Sequence, residues 1–220
     1  MLAQPSKSIP LRDRAYASFT QKLLAKDILP GQIISQRELV DLTGLPLGAI
    51  REMIPRLEAD GLIQTVPKKG VQITTLDIEL VRNAFQLRHL LEREAISRFC
   101  KTADQSEIEK FEAEHRETHA MALEKVTPEL LARAQHLDWA FHDHVIDALE
   151  NSLISNTYRV NSIKIRLIRN ADTRMLPELV VSVLEEHLAI ISALIARDEV
   201  AAIKALDAHL DSAKRRALRI

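Results

Sequence analysis

All five glycines of this 220-residue chain lie in its first third, and this uneven distribution is the feature that most constrains its fold. The last of them is Gly70, and the residues after position 75 contain only two prolines, Pro128 and Pro177. Glycine and proline mark turns and interrupt regular structure. The pattern therefore predicts a turn-rich N-terminal domain over residues 1–75 and a C-terminal domain of long helices over residues 76–220.

Composition excludes several classes of protein. Hydrophobic residues make up 46% of the chain, and 30 Lys+Arg against 31 Asp+Glu give a formal net charge of -1, as in an ordinary soluble protein. The lone cysteine, Cys100, cannot form an internal disulfide, which favours a reducing compartment. No apolar run approaches the roughly 20 residues of a membrane span, and the N-terminus has no apolar signal-peptide core. We therefore expect a cytoplasmic protein without a membrane partner.

The N-terminal region shows three short helical patterns followed by two β-type runs. The first helical pattern ends near Pro30, Ser35 and Glu38 form a capping-box pattern that opens the second, and the third runs from about Pro46 to Asp60. The runs LIQTV and VQITT flank the lysine-rich turn PKKG, which is typical of a hairpin. Three helices followed by a hairpin predict a winged helix-turn-helix.

A winged helix-turn-helix inserts its third helix into the DNA major groove and contacts phosphates with basic residues at helix starts and in the wing. The basic side chains at such positions are Arg37, Arg51, Lys68 and Lys69. The alternative is that they are ordinary solvated charges. Residues 1–75 contain 10 Lys+Arg and 7 Asp+Glu, whereas the rest of the chain contains 20 and 24, so an acidic C-terminal region masks a basic head. We therefore expect double-stranded DNA as a partner.

The C-terminal region shows about six helical patterns, each with a broad apolar stripe. They cover residues 77–101, 104–124, 127–149, 151–171, 177–197 and 199–218. Two of these helices begin at a proline, a residue that is favoured at the first helical position. Such stripes suit an antiparallel bundle, so the predicted fold is mainly α: a winged helix-turn-helix followed by an all-α bundle.

Four polar side chains fall on the apolar stripes of three helices. Asp138 and His142 are one helical turn apart, whereas His187 and His209 lie on the last two helices. A single core histidine is more often simply hydrogen-bonded, because burial of an unsatisfied polar group is costly. Three histidines with one carboxylate favour a shared divalent metal, with zinc as first choice and nickel or manganese as alternatives.

The other nearby polar residues are predicted to lie outside this cluster. His115 and His119 are surrounded in the sequence by charged residues, so we expect them on a solvated face, and His136 and His144 point away from the stripe. Glu185 and Glu186, which precede His187, are expected on the exposed side. Without a further inward carboxylate to serve as general base, the pattern disfavours a metal-dependent enzyme.

Arg88 shares a helix face with small and apolar residues, so it can point into the bundle. A buried arginine requires an anionic partner. One candidate partner is Glu92, which lies one helical turn later. The other is a carboxylate ligand bound inside the bundle, and the residues alone leave both interpretations open.

The segment ILPGQIISQRELVDLTGLPLGAIREMIPRLEADGLIQTVPKKGVQIT resembles the DNA-binding domain of GntR-family transcription regulators, over about residues 11–75. The resemblance implies that Arg37 and Arg51 contact DNA and that Lys69 and Gly70 form the wing tip. The family usually opens its third helix with Ser or Thr followed by Arg, where this chain has Pro46 and Leu47. The family's usual operator sequence is therefore not implied.

The C-terminal region resembles the FCD ligand-binding domain of the FadR branch of GntR regulators, and its six helices resemble the VanR-type subgroup. The match rests on FQLRHLLEREAISR, on the Asp138-x-x-Phe141-His142 pattern, and on EEHLAIISALIARD and AHLDSAKRRA. It implies that Asp138, His142, His187 and His209 bind a metal and that Arg88 binds a carboxylate effector.

Together the two resemblances predict a homodimeric, ligand-responsive transcription regulator that binds operator DNA, is not an enzyme, and acts as a repressor. Three alternatives remain open at this point. The metal itself can be the signal, the metal can have a purely structural role, or the cluster can belong to a metal-dependent hydrolytic enzyme.

Overall fold

The structure, a computed structural model, describes residues 9–172 and 176–218. Most of the N-terminal stretch in which no signal-peptide core was found therefore lies outside the described residues. The chain folds into two units, and the boundary between them lies between Asp77 and Ile78. Helices dominate both units, which confirms the mainly-α prediction.

The N-terminal unit is a winged helix-turn-helix. Its elements are α1 (Leu11–Leu24), β1 (Ile33–Ile34), α2 (Gln36–Thr43), α3 (Leu47–Ala59), β2 (Ile63–Val66) and β3 (Gly70–Ile73). The strands form an antiparallel sheet in the order β1-β3-β2, in which Ile34 pairs with Val71 and Thr65 pairs with the same residue from the other side. The sequence predicted only the β2–β3 hairpin, because a two-residue strand is too short to show alternation.

Local chemistry fixes the entry and exit of α2. The Ser35 side chain accepts a hydrogen bond from the Glu38 backbone N–H at 3.2 Å, and the Glu38 carboxylate accepts one from the Ser35 N–H at 2.8 Å. This reciprocal pair is the capping box that the sequence predicted. Gly44 ends the helix with a φ of +68°, a conformation that side chains other than glycine disfavour.

The described part of the C-terminal unit contains six long helices. They are α4 (Ile78–Thr102), α5 (Gln105–Glu124), α6 (Pro128–Asp147), α7 (Ser152–Asp172), α8 (Val180–Ile195) and α9 (Glu199–Leu218). The predicted fifth helix, 177–197, is shorter than expected, because its first turn, Pro177–Leu179, is a 3-10 helix. Thr127 caps α6, since its side chain accepts a hydrogen bond from the Leu130 N–H at 3.2 Å.

Helix α8 packs against α5 and α9, and α4 packs against α6, α7 and α9. Two apolar clusters fill the interior: a larger one that includes Phe141 and Ile190, and a smaller one that includes Leu137 and Leu184. Along α6 and α8, the predicted metal ligands occupy the positions where one cluster ends and the other begins. Among the described residues, no helix is long and apolar enough to span a membrane.

Candidate metal centre

The four predicted ligands come together inside the C-terminal unit. Asp138 and His142 project from α6, His187 from α8 and His209 from α9, and their candidate donor atoms all lie within 4.8 Å of one another. None is more than 3% exposed. The Nε2 atoms of His142 and His209 are 3.2 Å apart, and His187 Nε2 lies 3.4 Å from Asp138 Oδ1. Three imidazoles and one carboxylate form a donor set that suits zinc and other first-row divalent ions.

Carboxylates hold the outer nitrogens of two of these rings. His142 Nδ1 lies 2.8 Å from Glu92 Oε2, and His209 Nδ1 donates to Glu186 Oε2 at 2.8 Å. Because a carboxylate only accepts, the hydrogen bond to Glu186 places the hydrogen of His209 on Nδ1, and the 2.8 Å contact with the Glu92 carboxylate favours the same tautomer for His142. Both rings then present a lone pair at Nε2. Two lone pairs 3.2 Å apart repel each other, and a cation between them removes the repulsion. The residues present therefore fit a metal ion.

The third ring is held by a histidine that the sequence interpretation discounted. His115 was predicted on a solvated face, but this is wrong: it is fully buried, and its Nε2 lies 3.1 Å from His187 Nδ1. Its own Nδ1 lies 2.7 Å from the Phe111 carbonyl oxygen. His119 lies nearer the surface, with a side chain 21% exposed and Nε2 3.4 Å from Glu185.

The error arose because charged sequence neighbours outweighed the helical stripe. Ile108, Phe111, Thr118 and Ala122 stand seven before, four before, three after and seven after His115, and all four lie on its side of α5. The i±3, i±4 spacing therefore contained the signal for burial. Adjacent residues point to other faces of the helix and carry little information about His115.

Burial sets the charge state of the centre. It lowers the pKa of His142 and His187, the pKa of His209 to about 4, and the pKa of His115 to about 3. Burial opposes ionisation of Glu186, but hydrogen bonds from His209 and Arg216 outweigh it and hold the pKa of that carboxyl at about 2. Neutral imidazole is the form that binds metal, so burial maintains the three ligand histidines in their binding state.

Glu92, which the sequence offered as a partner for Arg88, also contacts the metal centre. It is 1% exposed; its Oε1 accepts from Arg88 Nε at 2.6 Å and from the Tyr158 hydroxyl at 2.8 Å, while its Oε2 faces His142. The sequence did not predict that this carboxylate would reach a metal-ligand histidine. Since Arg88 and Tyr158 donate to Oε1 and Oε2 lies against His142 Nδ1 at 2.8 Å, Glu92 supports the metal-ligand residue His142 and is not placed as a free general base.

Arg88 is buried at 3% exposure and pairs with Glu92, the nearer of its two predicted partners. The pairing leaves Nη1 of Arg88 without a hydrogen-bond partner among the residues that the structure describes. Arg88 and His142 line one small pocket together with Trp139, Asp143, Tyr158, Asn161, Ser162 and Ile165. A buried donor beside a metal-ligand position gives this pocket a preference for anions.

Glu186 also departs from its predicted position. It was expected on the exposed side, but its side chain is only 24% exposed and lies between His209 and Arg216. Glu185, one residue earlier, is 61% exposed in its side chain, as expected. The two side chains leave α8 about 100° apart, which is enough to place one at the centre and one in solvent.

The predicted DNA-contacting residues lie on the N-terminal unit. Arg37 on α2 and Arg51 on α3 lie at the surface, and Arg51 Nε donates to Gln36 at 3.1 Å. Lys68 and Lys69 are exposed in the turn between β2 and β3. These placements leave the charges accessible, and their role in DNA contact stays a prediction.

Gly70 and the start of α3 have their own constraints. A Cβ atom at Gly70 would lie 2.2 Å from the Ile34 carbonyl oxygen, so the wing glycine is required where β3 meets β1. At α3, Pro46 makes no side-chain cap, and Leu47 is 39% exposed. The polar start that the family usually has is therefore replaced by an apolar one.

Both units of the chain match known protein families. Residues 83–212 match the FCD domain, and residues 11–73 match the bacterial regulatory proteins of the gntR family. The probable HTH-type transcriptional regulator LgoR of Escherichia coli (strain K12) is 23% identical over 202 residues, which are 92% of this chain and 66% of LgoR. The Nta operon transcriptional regulator of Aminobacter aminovorans is 29% identical over 175 residues, 77% of each chain.

The fold also recurs in solved structures. Escherichia coli McbR/YncC superposes with a TM-score of 0.73 at 12% identity, covering 93% of this chain and 95% of that one. The family and the two relatives compared by sequence are transcription regulators and not enzymes. The chain therefore belongs to the GntR family of bacterial transcription regulators and carries an FCD domain after its winged helix-turn-helix.

Proposed function

We propose that this regulator binds a divalent metal through Asp138, His142, His187 and His209, and that the loaded FCD domain binds a small carboxylate. The observation that carries the proposal is the orientation of the three buried imidazoles. Two of them direct their Nε2 atoms at each other across 3.2 Å, and the third directs Nε2 at a carboxylate 3.4 Å away. Zinc is the first choice of metal, and nickel or manganese would suit the same donors.

The carboxylate is supported by the surroundings of the metal site. Three imidazoles and one carboxylate leave room in the coordination sphere for a further oxygen ligand. Arg88, whose Nη1 has no hydrogen-bond partner in the described part of the chain, lies on the same pocket as the metal-ligand residue His142. An anion that reaches both the metal and Arg88 satisfies both groups. The proposed effector is therefore a small mono- or dicarboxylate, and Glu92 keeps Arg88 ionised in its absence.

The proposed output is release of operator DNA. A homodimer would place two winged heads on half-sites of a palindromic operator, with Arg37, Arg51, Lys68 and Lys69 on DNA and Gly70 at the wing tip. The effector can shift DNA affinity only if it binds the DNA-competent and released arrangements with different affinity. We propose that the protein represses transcription in the cytoplasm and that the ligand relieves this repression.

The test is a DNA-binding titration with the full chain and the DNA upstream of its own gene, followed by fluorescence anisotropy. Metal-loaded protein is expected to bind that DNA in preference to a scrambled duplex. A panel of mono- and dicarboxylates is then added, and one class is expected to weaken binding at least about tenfold, or 1.4 kcal/mol. Thermal stability of the same samples should rise with the same compounds.

Variants of two arginines on α4 test whether Arg88 mediates the response of DNA binding to carboxylate. Arg88→Met is expected to abolish the response to carboxylate while DNA binding persists, whereas Arg98→Met, on the exposed side of the same helix, keeps the response. Selective DNA binding that no carboxylate alters would contradict the effector part. Failure to bind DNA selectively at any metal load would contradict the regulator mechanism as a whole.

A second candidate function is supported by the origin of the ligands on three helices, α6, α8 and α9. A metal that joins three helices can itself stabilise one arrangement of the domain. Stripping with a chelator and re-adding zinc, without any organic ligand, separates the two ideas. DNA affinity that follows the metal alone favours a metal-responsive regulator, whereas a change in thermal stability without a change in DNA affinity favours a structural metal.

A further inference from the structure

We propose that His115 is a positioning residue that fixes the hydrogen of His187 on Nδ1 and thereby makes His187 Nε2 a metal donor. The inference rests on the metal site proposed above and extends it to a residue outside the four-ligand set. Its basis is a chain of three groups: the Phe111 carbonyl, the His115 ring and the His187 ring.

The first link of the chain sets the tautomer of His115. A backbone carbonyl oxygen can only accept a hydrogen bond, and Phe111 O lies 2.7 Å from His115 Nδ1. The hydrogen of an uncharged His115 ring must therefore be on Nδ1, which leaves Nε2 with a lone pair. The ring is fully buried and packs against the aromatic ring of Phe141, with centroids 5.7 Å apart. An uncharged ring is the form that such surroundings favour.

The second link transfers that choice to His187. His115 Nε2 lies 3.1 Å from His187 Nδ1, and a hydrogen bond across this gap needs one hydrogen. Since His115 Nε2 is the acceptor, His187 Nδ1 is the donor. The lone pair of His187 is then on Nε2, which faces Asp138 Oδ1 at 3.4 Å and makes no hydrogen bond to any described residue. The reverse tautomer of His187 would carry a hydrogen on Nε2 and block the metal.

The three ligand histidines thus share one requirement and meet it in two ways. Glu92 and Glu186 hold His142 and His209 with a negative charge, whereas His115 holds His187 without adding one. A further anion beside Asp138, Glu92 and Glu186 would increase the repulsion in the metal-free protein. A neutral acceptor supplies the orientation at a lower electrostatic cost.

Zinc affinity measured by competition with a chromophoric chelator tests the proposal. His115→Phe removes the acceptor but keeps an aromatic ring in the core, and we expect zinc affinity to fall roughly 10- to 100-fold, the range of outer-shell changes at metal sites. His115→Gln places an amide oxygen that can accept from His187, so it is expected to recover part of the loss. His119→Gln, one turn further along α5, is the matched control and should bind zinc as the unaltered chain does.

A second measurement does not depend on variants that fold. In the unaltered protein, 15N-labelled histidines report by NMR which ring nitrogen carries hydrogen, with and without zinc. The proposal expects His115 protonated on Nδ1 and bare on Nε2, and His187 protonated on Nδ1 in both states. Hydrogen on His115 Nε2, or full zinc affinity in His115→Phe, would overturn it. If the unaltered chain binds no zinc, the metal site itself fails, which is a different result from zinc binding that ignores His115.

Discussion

The two units of this chain place their candidate functional residues in opposite environments. The basic residues of the N-terminal unit are accessible side chains on elements that a capping box and positive-φ glycines hold in place. The candidate ligands of the C-terminal unit are buried between two apolar clusters, each in contact with further polar groups. Function should therefore be separable from stability in the first unit, whereas in the second any change to the site also changes the fold's free energy.

Because the histidines lie in only one of the two units, the stabilities of the units should depend differently on pH. All eight histidines follow residue 75, and burial lowers the pKa of His115 to about 3 and of His209 to about 4. In the unfolded chain both titrate near 6.5, so below that pH the unfolded state binds protons that the folded state excludes. The contribution of these histidines to stability is therefore full above about pH 6.5 and falls as the pH drops toward 3.

The largest expected effect is acid unfolding of the metal-free C-terminal unit, starting below about pH 6.5. Each histidine that stays neutral on folding contributes up to about 1.4 kcal/mol per pH unit. In the described part of the N-terminal unit, the groups with a lowered pKa are carboxyls such as Glu38 and Glu58. This unit should therefore begin to lose stability only below about pH 4.5. Hydrogen exchange resolved by fragment across pH 4–7 measures both units, and equal acid sensitivity would break the comparison.

Metal should stabilise one unit only. At a free zinc concentration about a thousandfold above the dissociation constant, linkage adds about 4 kcal/mol to the free energy of unfolding of the C-terminal unit. His187→Ala removes a ligand and should abolish this gain, while His119→Ala should retain it, because His119 lies outside the centre. Urea denaturation with and without zinc provides the measurement. A gain of similar size in His187→Ala would place the metal elsewhere.

Much of both units could be predicted from local patterns. Capping signals, glycine positions and helical stripes predicted the winged head and the six helices within a few residues, because these signals act over one or two turns. The stripes also singled out Asp138, His142, His187 and His209, which the fold brings together. Features that depend on contact with a second element could not be predicted. Strand β1 exists only because it pairs with β3, and the Ser35 capping signal predicted the following helix but not the preceding strand.

The contacts of the centre that the sequence did not predict share that cause. Glu92, Glu186 and His115 each contact a ligand that projects from a different helix. Their sequence neighbours are charged, and nothing in a single helix reveals which partner the side chain meets. Tertiary packing decided their roles, and only the stripe around His115 contained a usable hint of burial.

Replacement of Gly70 tests the N-terminal unit at a residue that is required by the fold and also predicted to form the wing tip. With a φ of +123° and a Cβ position 2.2 Å from Ile34 O, Gly70→Ala forces β3 away from β1. We expect a loss of about 3 kcal/mol in the stability of the N-terminal unit, at the upper end of local strain. Gly48→Ala, in open space on α3, should be neutral or slightly stabilising. Fragment-resolved hydrogen exchange over residues 33–73 distinguishes the two, and equal protection would refute the close approach.

The smallest expected effect on stability is at Lys69. This side chain is exposed in the turn between β2 and β3, so Lys69→Ala should change unfolding free energy by less than about 0.5 kcal/mol. If it contacts a phosphate, the slope of log affinity for operator DNA against log salt should fall in magnitude by about 0.9. Lys110→Ala, which removes the same charge from a 77% exposed side chain on α5, is the control.

The two lysine variants distinguish DNA binding by charges at specific positions of the N-terminal unit from DNA binding by the net charge of the protein. A reduced slope in Lys69→Ala and an unchanged slope in Lys110→Ala would show that position matters, since both changes lower the net charge equally. Equal slopes in both variants would instead mean that long-range charge governs DNA affinity. In that case the two units would still differ in how strongly their functional residues affect stability. They would not differ in whether function depends on the position of single residues.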